Sequence, residues 1–343
     1  MQLTQKKRQR TDLLTVAAVA ALFVVMAALL YTGHLTRQVT NMLVPVAVYI
    51  VMAVSLNLVV GLLGELSLGH AGFMLVGAYA SALFTKNVGM ALPISFPISL
   101  VLAGLLAALF GVIIGIPALR LRGDYLAIIT LGFGEIIRVL ANADFLKPIT
   151  NGAMGLGDIP PLYNRRTSPA GLFVYAFIIM VLVIVINFSF GRSRHGRAVI
   201  AIREDEIAAE SAGVNTTYYK LFAFVLAAFI AGVAGGLYAN QIQVIDPAKF
   251  DFNRSVEILI MVVLGGMGSI TGSIISATVL TVLPEMLRGF DEYRMLLYSI
   301  ILIAVMLFKP SGLLGRYEIS VPGLFMKLWN KLKHPKQKTT GEA

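Results

Sequence analysis

The sequence predicts an all-α polytopic membrane protein with about eight full transmembrane helices plus one re-entrant or short helical hairpin. Three observations carry that expectation. Of the 343 residues, 57% are hydrophobic and only 13% charged, a balance foreign to soluble globular domains. The apolar residues gather in runs of about 20, the length that crosses a bilayer core roughly 30 Å thick. The basic residues gather in short segments beside those runs, where the positive-inside rule reads them as orientation signals. The chain has no cysteine, which removes disulfides, thiolate metal sites and thiol catalysis together.

In chain order, the first span is Leu13 to Tyr31, preceded by Lys6, Lys7, Arg8 and Arg10. It resembles a signal peptide but lacks a small-residue cleavage site, so it reads as a retained span. Met42 to Val60, Ser67 to Phe84, Pro97 to Leu119, Tyr125 to Leu140, Gly171 to Phe190 and Leu221 to Ala239 follow. Val256 to Leu283 is broken by LGGMGSITGS at Leu264 to Ser273. At about 28 residues it is too short for two full spans and suits a pair of half-helices. Met295 to Phe308 closes the set. A cytoplasmic N-terminus then places Arg120 and Arg122 inside after four spans, and Arg192, Arg194, Arg197 and Arg203 inside after six. The C-terminal Lys327, Lys331, Lys333, Lys336 and Lys338 also fall inside. Residues 1–318 thus form one transmembrane domain with no room for a soluble one. Residues 319–343 form a cytoplasmic tail, in which Leu324, Phe325, Leu328, Trp329 and Leu332 make the apolar face of an amphipathic surface helix. Two outer loops, 141–170 and Gln241 to Arg254, read either as connectors or as a shared docking surface.

One polar island interrupts the apolar chain: Gly191 to Lys220, GRSRHGRAVIAIREDEIAAESAGVNTTYYK. Its unpaired charges would cost roughly 2.5–3.5 kcal/mol each in hydrocarbon, so it faces water or another protein. Asp205 is placed to N-cap a helix from Glu206 to Ala212, and Gly213 to stop it. The product is a two-turn helix with small Ala201, Ala208, Ala209 and Ala212, Ile200, Ile207 and Val214 at heptad spacing, and charges on the remainder. It reads either as a solvated loop helix or as a piece that lies in another protein's groove.

Several chemistries are missing. There is no phosphate loop and no H-E-x-x-H, and His34, His70, His195 and His334 lack metal-ligand spacing. The net charge of +10 sits in flanks rather than on a face with interleaved aromatics, which argues against nucleic acid. Ionisable residues within or near spans are Glu65, His70, Glu135, Arg138 and Glu257, and Glu135 and Arg138 pair locally at i and i+3. With no carboxylate squarely mid-span, ion-driven transport is disfavoured. Glycines cluster at 61, 64, 69, 72 and 77, at 232, 235 and 236, and at 265, 266, 268 and 272. They read as close helix packing or as backbone opened to a translocation path. Candidate path residues are Ser67, His70, Tyr79, Gly265, Gly266 and Gly268.

The run from Ala201 to Ala239 resembles the permease subunits of bacterial branched-chain amino acid ABC importers, of the LivM type. LNLVVGLLGELSLGHAGFMLVGAYA (Leu56 to Ala80), LRLRGDYLAIITLGFGEIIR (Leu119 to Arg138) and VVLGGMGSITGS (Val262 to Ser273) share the resemblance, as do LPEMLR (Leu283 to Arg288) and FKPSGLLG (Phe308 to Gly315). The resemblance implies an ABC importer permease fold in the bacterial inner membrane with both termini cytoplasmic. It implies a transport subunit rather than an enzyme, without a bound cofactor, ATP being used by partners. Those partners are a homologous permease, two cytoplasmic ATP-binding subunits and a periplasmic binding protein delivering Leu, Ile or Val. The coupling residues it implies are Arg203, Glu204, Asp205, Glu206, Ala208, Ala209, Glu210 and Gly213. Of the family's E-A-A-x-x-x-G coupling pattern, Ala208, Ala209 and Gly213 match, while Ile207 stands in place of Glu and Glu206 sits one residue early. Glu65 stands where the family commonly has Gln. The alternatives are an ABC permease for another small polar solute, such as a sugar or urea, or an ion-coupled secondary transporter.

Overall fold

The computed structural model describes residues 37–287, apart from 90, 122 and 163–170, and scattered residues between 293 and 315. Helix α1 (Arg37–Asn57) runs on through a π turn, Leu58–Leu63. It is followed by α2 (His70–Asn87), α3 (Leu92–Ala118), α4 (Asp124–Asn142), α5 (Gly171–Arg192), α6 (Arg194–Glu204), α7 (Glu206–Ser211), α8 (Thr216–Ile242), α9 (Phe252–Gly265) and α10 (Ile270–Met286). Five stretches are long and apolar enough to cross a membrane: Val39–Leu63, Leu92–Ala118, Tyr125–Asn142, Gly171–Arg192 and Thr216–Ile242.

The expected eight spans are therefore represented by five among the described residues. Leu13 to Tyr31 and the C-terminal tail lie outside those residues, as does most of Met295 to Phe308. The span expected from Ser67 differs for a physical reason. Residues 64–69 are not helical, and α2 begins at His70 and ends in Thr85, Lys86 and Asn87, so both its ends are polar. It survives between the other helices because neighbours enclose it: Phe73, Met74, Leu75 and Ala78 are fully buried.

The centre of the bundle is α8 packed against α2 and α3, with α1 joining α8, α10 and α5 around it. Small residues allow the approach. A Cβ at Gly235 would overlap the Met74 carbonyl, one at Gly77 would overlap Gly232, and one at Gly232 would meet Ala103. In lipid, where apolar side chains gain little by leaving the solvent, such backbone contact is a main source of helix association. Several polar groups inside are paired. Ser81 and Ser99 share a 2.9 Å hydrogen bond between α2 and α3, and Ser55 donates to the Ala227 carbonyl at 2.7 Å. The outward face of α3 shows Ile98, Val101, Leu105, Leu109, Ile113 and Ile116, spaced three or four apart, an apolar stripe fit for lipid or a second subunit.

The expected break in the stretch from Val256 to Leu283 is present. Helices α9 and α10 hold 14 and 17 residues, about 21 and 25 Å at 1.5 Å per residue. They pack antiparallel, because Gly265 lies against Gly272 while Ser276 donates to the Met261 carbonyl further along. The tip between them turns through Gly266 (φ 110°) and Gly268 (φ 89°), values that side chains resist.

Candidate functional site

The polar island folds into α6 and α7, laid across one end of the bundle. Ser193 opens α6 by accepting from the Gly196 amide at 3.0 Å, and Val199 and Ile202 are buried beneath it. Asp205 caps α7, its Oδ1 accepting from the Ala208 amide at 3.0 Å. The far end closes as the residue types predict. Gly213 takes φ 84°, its amide donates to the Glu210 carbonyl at 2.9 Å, and the Val214 amide donates to the Ala209 carbonyl at 3.0 Å. This double bond set is the glycine-terminated stop that satisfies the last carbonyls of a helix. Asn215 then caps α8 by accepting from Tyr218 at 3.0 Å.

The underside of the island is held by charge. Lys220, on the first turns of α8, has a side chain only 4% exposed and places Nζ 2.9 Å from Glu65 and 2.9 Å from Glu206. A cation so withdrawn from water needs such partners, because burying a lone charge is prohibitive. Arg203 bends inward as well. It donates to the Gly61 carbonyl at 2.7 Å, pairs with Glu204, and lays its stem where a Cβ on Gly64 would stand. Gly64 itself has φ 82° and ends the π turn.

The predicted coupling residues therefore divide. Arg203, Glu206 and Ala209 face the bundle, and Asp205 is spent on the cap. Glu204, Ala208, Glu210 and Gly213 are exposed, alongside Ile207 at 68%. The inward turn of Arg203 and Glu206 has a plain cause: Gly61 offers a carbonyl, Gly64 offers space and Lys220 offers a charge. Sequence reasoning missed Lys220. Its available signal was one Lys at the border of an apolar run, facing one Glu at the border of another.

The hairpin tip meets the same end of the bundle. The Gly268 amide donates to Asn57 Oδ1 at 2.8 Å, and Gly61 approaches the Gly268 backbone so closely that no Cβ fits between them. Leu313 donates its amide to the Leu264 carbonyl at 2.7 Å, bringing the segment after the last apolar run to the tip.

The predicted path residues do not form one cluster. His70 is buried and shares a 3.0 Å hydrogen bond with Ser55 at the crossing of α1, α2 and α8. Tyr79 lies nine residues further along α2, about 13 Å away. Gly265 packs on Gly272, and Gly266 and Gly268 form the tip. Ser67 and Tyr79 nonetheless share one property: each has a buried hydroxyl with no hydrogen-bond partner among the described residues.

At the opposite end, Glu135 and Arg138 form the expected local pair at 2.7 Å, and Glu135 also accepts from the Phe252 amide at the start of α9. Arg254 bonds Tyr49 and Glu257 and lies over the Tyr49 and Tyr238 rings. The two loops that read either as connectors or as a shared docking surface are joined here. Leu156 and Ile245 exchange backbone hydrogen bonds of 2.9 Å in each direction.

Residues 38–307 match a family described as branched-chain amino acid transport system, permease component. The high-affinity branched-chain amino acid transport permease protein LivM of Salmonella typhimurium is 38% identical over 293 residues, which cover 78% of this chain and 68% of the relative. LivM of Escherichia coli K12 is 36% identical over the same shares. The permease protein BraD of Pseudomonas aeruginosa is 28% identical, covering 83% of this chain and 97% of its own length. No solved structure matches.

Proposed function

The chain belongs to the family of branched-chain amino acid transport permeases, and from that premise we propose that it is one of two homologous permease subunits of an ATP-driven importer for Leu, Ile and Val. It sits in the bacterial inner membrane with eight full spans, a short hairpin and both termini cytoplasmic, the island facing the same side. Two ATP-binding subunits dock there, and a periplasmic binding protein delivers the amino acid to the joined loops around Leu156 and Ile245. The chain has no reaction of its own, and ATP is consumed by the partners.

The observation that carries the docking reading is the shape of α7. It is capped at both ends and fastened underneath, and it turns Ile207, Ala208, Ser211 and Ala212 outward. An apolar knob among small side chains, rimmed by Glu204 and Glu210, is a surface that fits an apolar groove with a basic edge. The cap and the Lys220 ion pairs keep it ordered before any partner arrives, so docking pays little ordering entropy.

Reconstitution of the complete complex in vesicles tests the reading. Labelled leucine, presented with the binding protein, enters when ATP and both ATP-binding subunits are present and stays out when either is omitted. Leucine flux through the permeases without ATP would sink it.

A further inference from the structure

The island and the hairpin tip lie far apart in the sequence, yet both are fastened to the π turn of α1 and the residue before it. From the island side, Arg203 donates to the Gly61 carbonyl at 2.7 Å, and Glu206 reaches Glu65, just past the turn, through Lys220. From the hairpin side, the Gly268 amide is held by Asn57, and its backbone touches Gly61. Gly268 also borders the Arg203 guanidinium, which a Cβ there would approach to 3.7 Å.

We infer that the π turn is a transmission joint, carrying displacement of the docked island to the hairpin tip, and that Asn57 is the positioning residue that keeps the tip on it. The inference rests on the docking reading above. Three features support it. A π turn is an irregular stretch of the i→i−4 ladder, a place where helices commonly adjust at functional sites. The tip has no large side chain buried in the bundle: Met267 is 53% exposed, and Gly266 and Gly268 bracket it. Of the contacts that hold it to α1, the bond from the Gly268 amide to Asn57 is made by a side chain. The two helices leading from the tip are regular, so a shift there travels along α9 to Ser255, whose hydroxyl accepts from the Ala71 amide at the start of α2 at 3.1 Å. Coupling then passes through one element that both regions grip, which is the physical form such a linkage needs.

The test uses the complete complex, with Met267→Cys as reporter in a chain that has no other cysteine. ATP is expected to change the maleimide labelling rate of Met267→Cys about fivefold or more, in the range of ordinary allosteric coupling. With Asn57→Ala that response disappears and leucine uptake per ATP hydrolysed falls about tenfold, while the ATP-binding subunits still co-purify and hydrolyse ATP. Asn57→Asp, which keeps an oxygen acceptor for the Gly268 amide, restores both. A labelling rate indifferent to ATP in the unsubstituted background overturns the proposal before any variant is made. A response or uptake ratio that survives Asn57→Ala overturns it too. Failure of the ATP-binding subunits to co-purify with the unsubstituted chain overturns instead the docking reading beneath it.

Discussion

The two ends of the bundle use ionic groups in different ways. At the island end, Lys220 is withdrawn from water and joins three pieces of chain: α8, the segment after the π turn, and α7. At the opposite end the ion pairs are wetter: Glu135 with Arg138 and Arg254 with Glu257 lie within single helices, each spaced i,i+3, and Lys86 at the end of α2 meets Asp158 of the 141–170 loop at 3.7 Å, with Asp158 almost fully exposed. Glu257 is half exposed there, and the ties between elements are that exposed pair and hydrogen bonds, among them those from Phe252 to Glu135 and from Arg254 to Tyr49. Buried charges fasten firmly only while every partner is present, whereas half-wet pairs contribute little and exchange readily with water. The first end is thus the stiffer of the two, the second the freer to rearrange.

Three substitutions sharpen that contrast. The largest effect is expected from Lys220→Met, which removes the cation that Glu65 and Glu206 share. It should cost about 3 kcal/mol, as removal of one partner from a buried ionic group does, read as lowered thermal stability of the purified complex. A loss no greater than that of Arg254→Met would erase the distinction between the ends. Arg254→Met itself should cost about 1 kcal/mol, the sum of a partly exposed pair and its contacts with the Tyr49 and Tyr238 rings. Its loss should shrink as salt is raised, while that of Lys220→Met should not. The smallest effect belongs to Glu135→Gln. The amide still accepts from Phe252, so only the pair with Arg138 and the charge at the start of α9 are lost, about 0.5 kcal/mol. A drop of several kcal/mol in the same melting experiment would show that the opposite end is as tightly fastened as the first.

Local features of the fold were legible in the sequence because they depend on neighbours in the chain. Asp205 as a cap, Gly213 as a stop and the break at Leu264 to Ser273 all follow from backbone chemistry within a few residues. The apolar runs found five spanning helices for the same reason. What required the folded chain was anything set by distant partners. Glu65 and Lys220 stand 155 positions apart, so neither hints at the other. Arg203 looked like a residue for a partner protein, and only the carbonyl of Gly61 and the space above Gly64 turn it inward. The late start of α2 was hidden because Ser67, Leu68 and Gly69 are as compatible with a helix in lipid as with the non-helical chain they adopt. Ser67 and Tyr79, picked out as path residues, have buried hydroxyls without a partner among the described residues, but residue types alone did not say that they lie apart.

The π turn also separates two obligations of α1. One residue added to a helix rotates everything after it by about 100°. Upstream of Leu58, the phase of α1 is set by packing against α5, α8 and α10. Downstream, it is set by the need to bring Glu65 to Lys220 and the Gly61 carbonyl to Arg203. A straight α-helix would tie those two alignments together, so that each change in the core retuned the contact with the island. The added residue uncouples them, so a change of packing before Leu58 need not disturb the contact with the island beyond it.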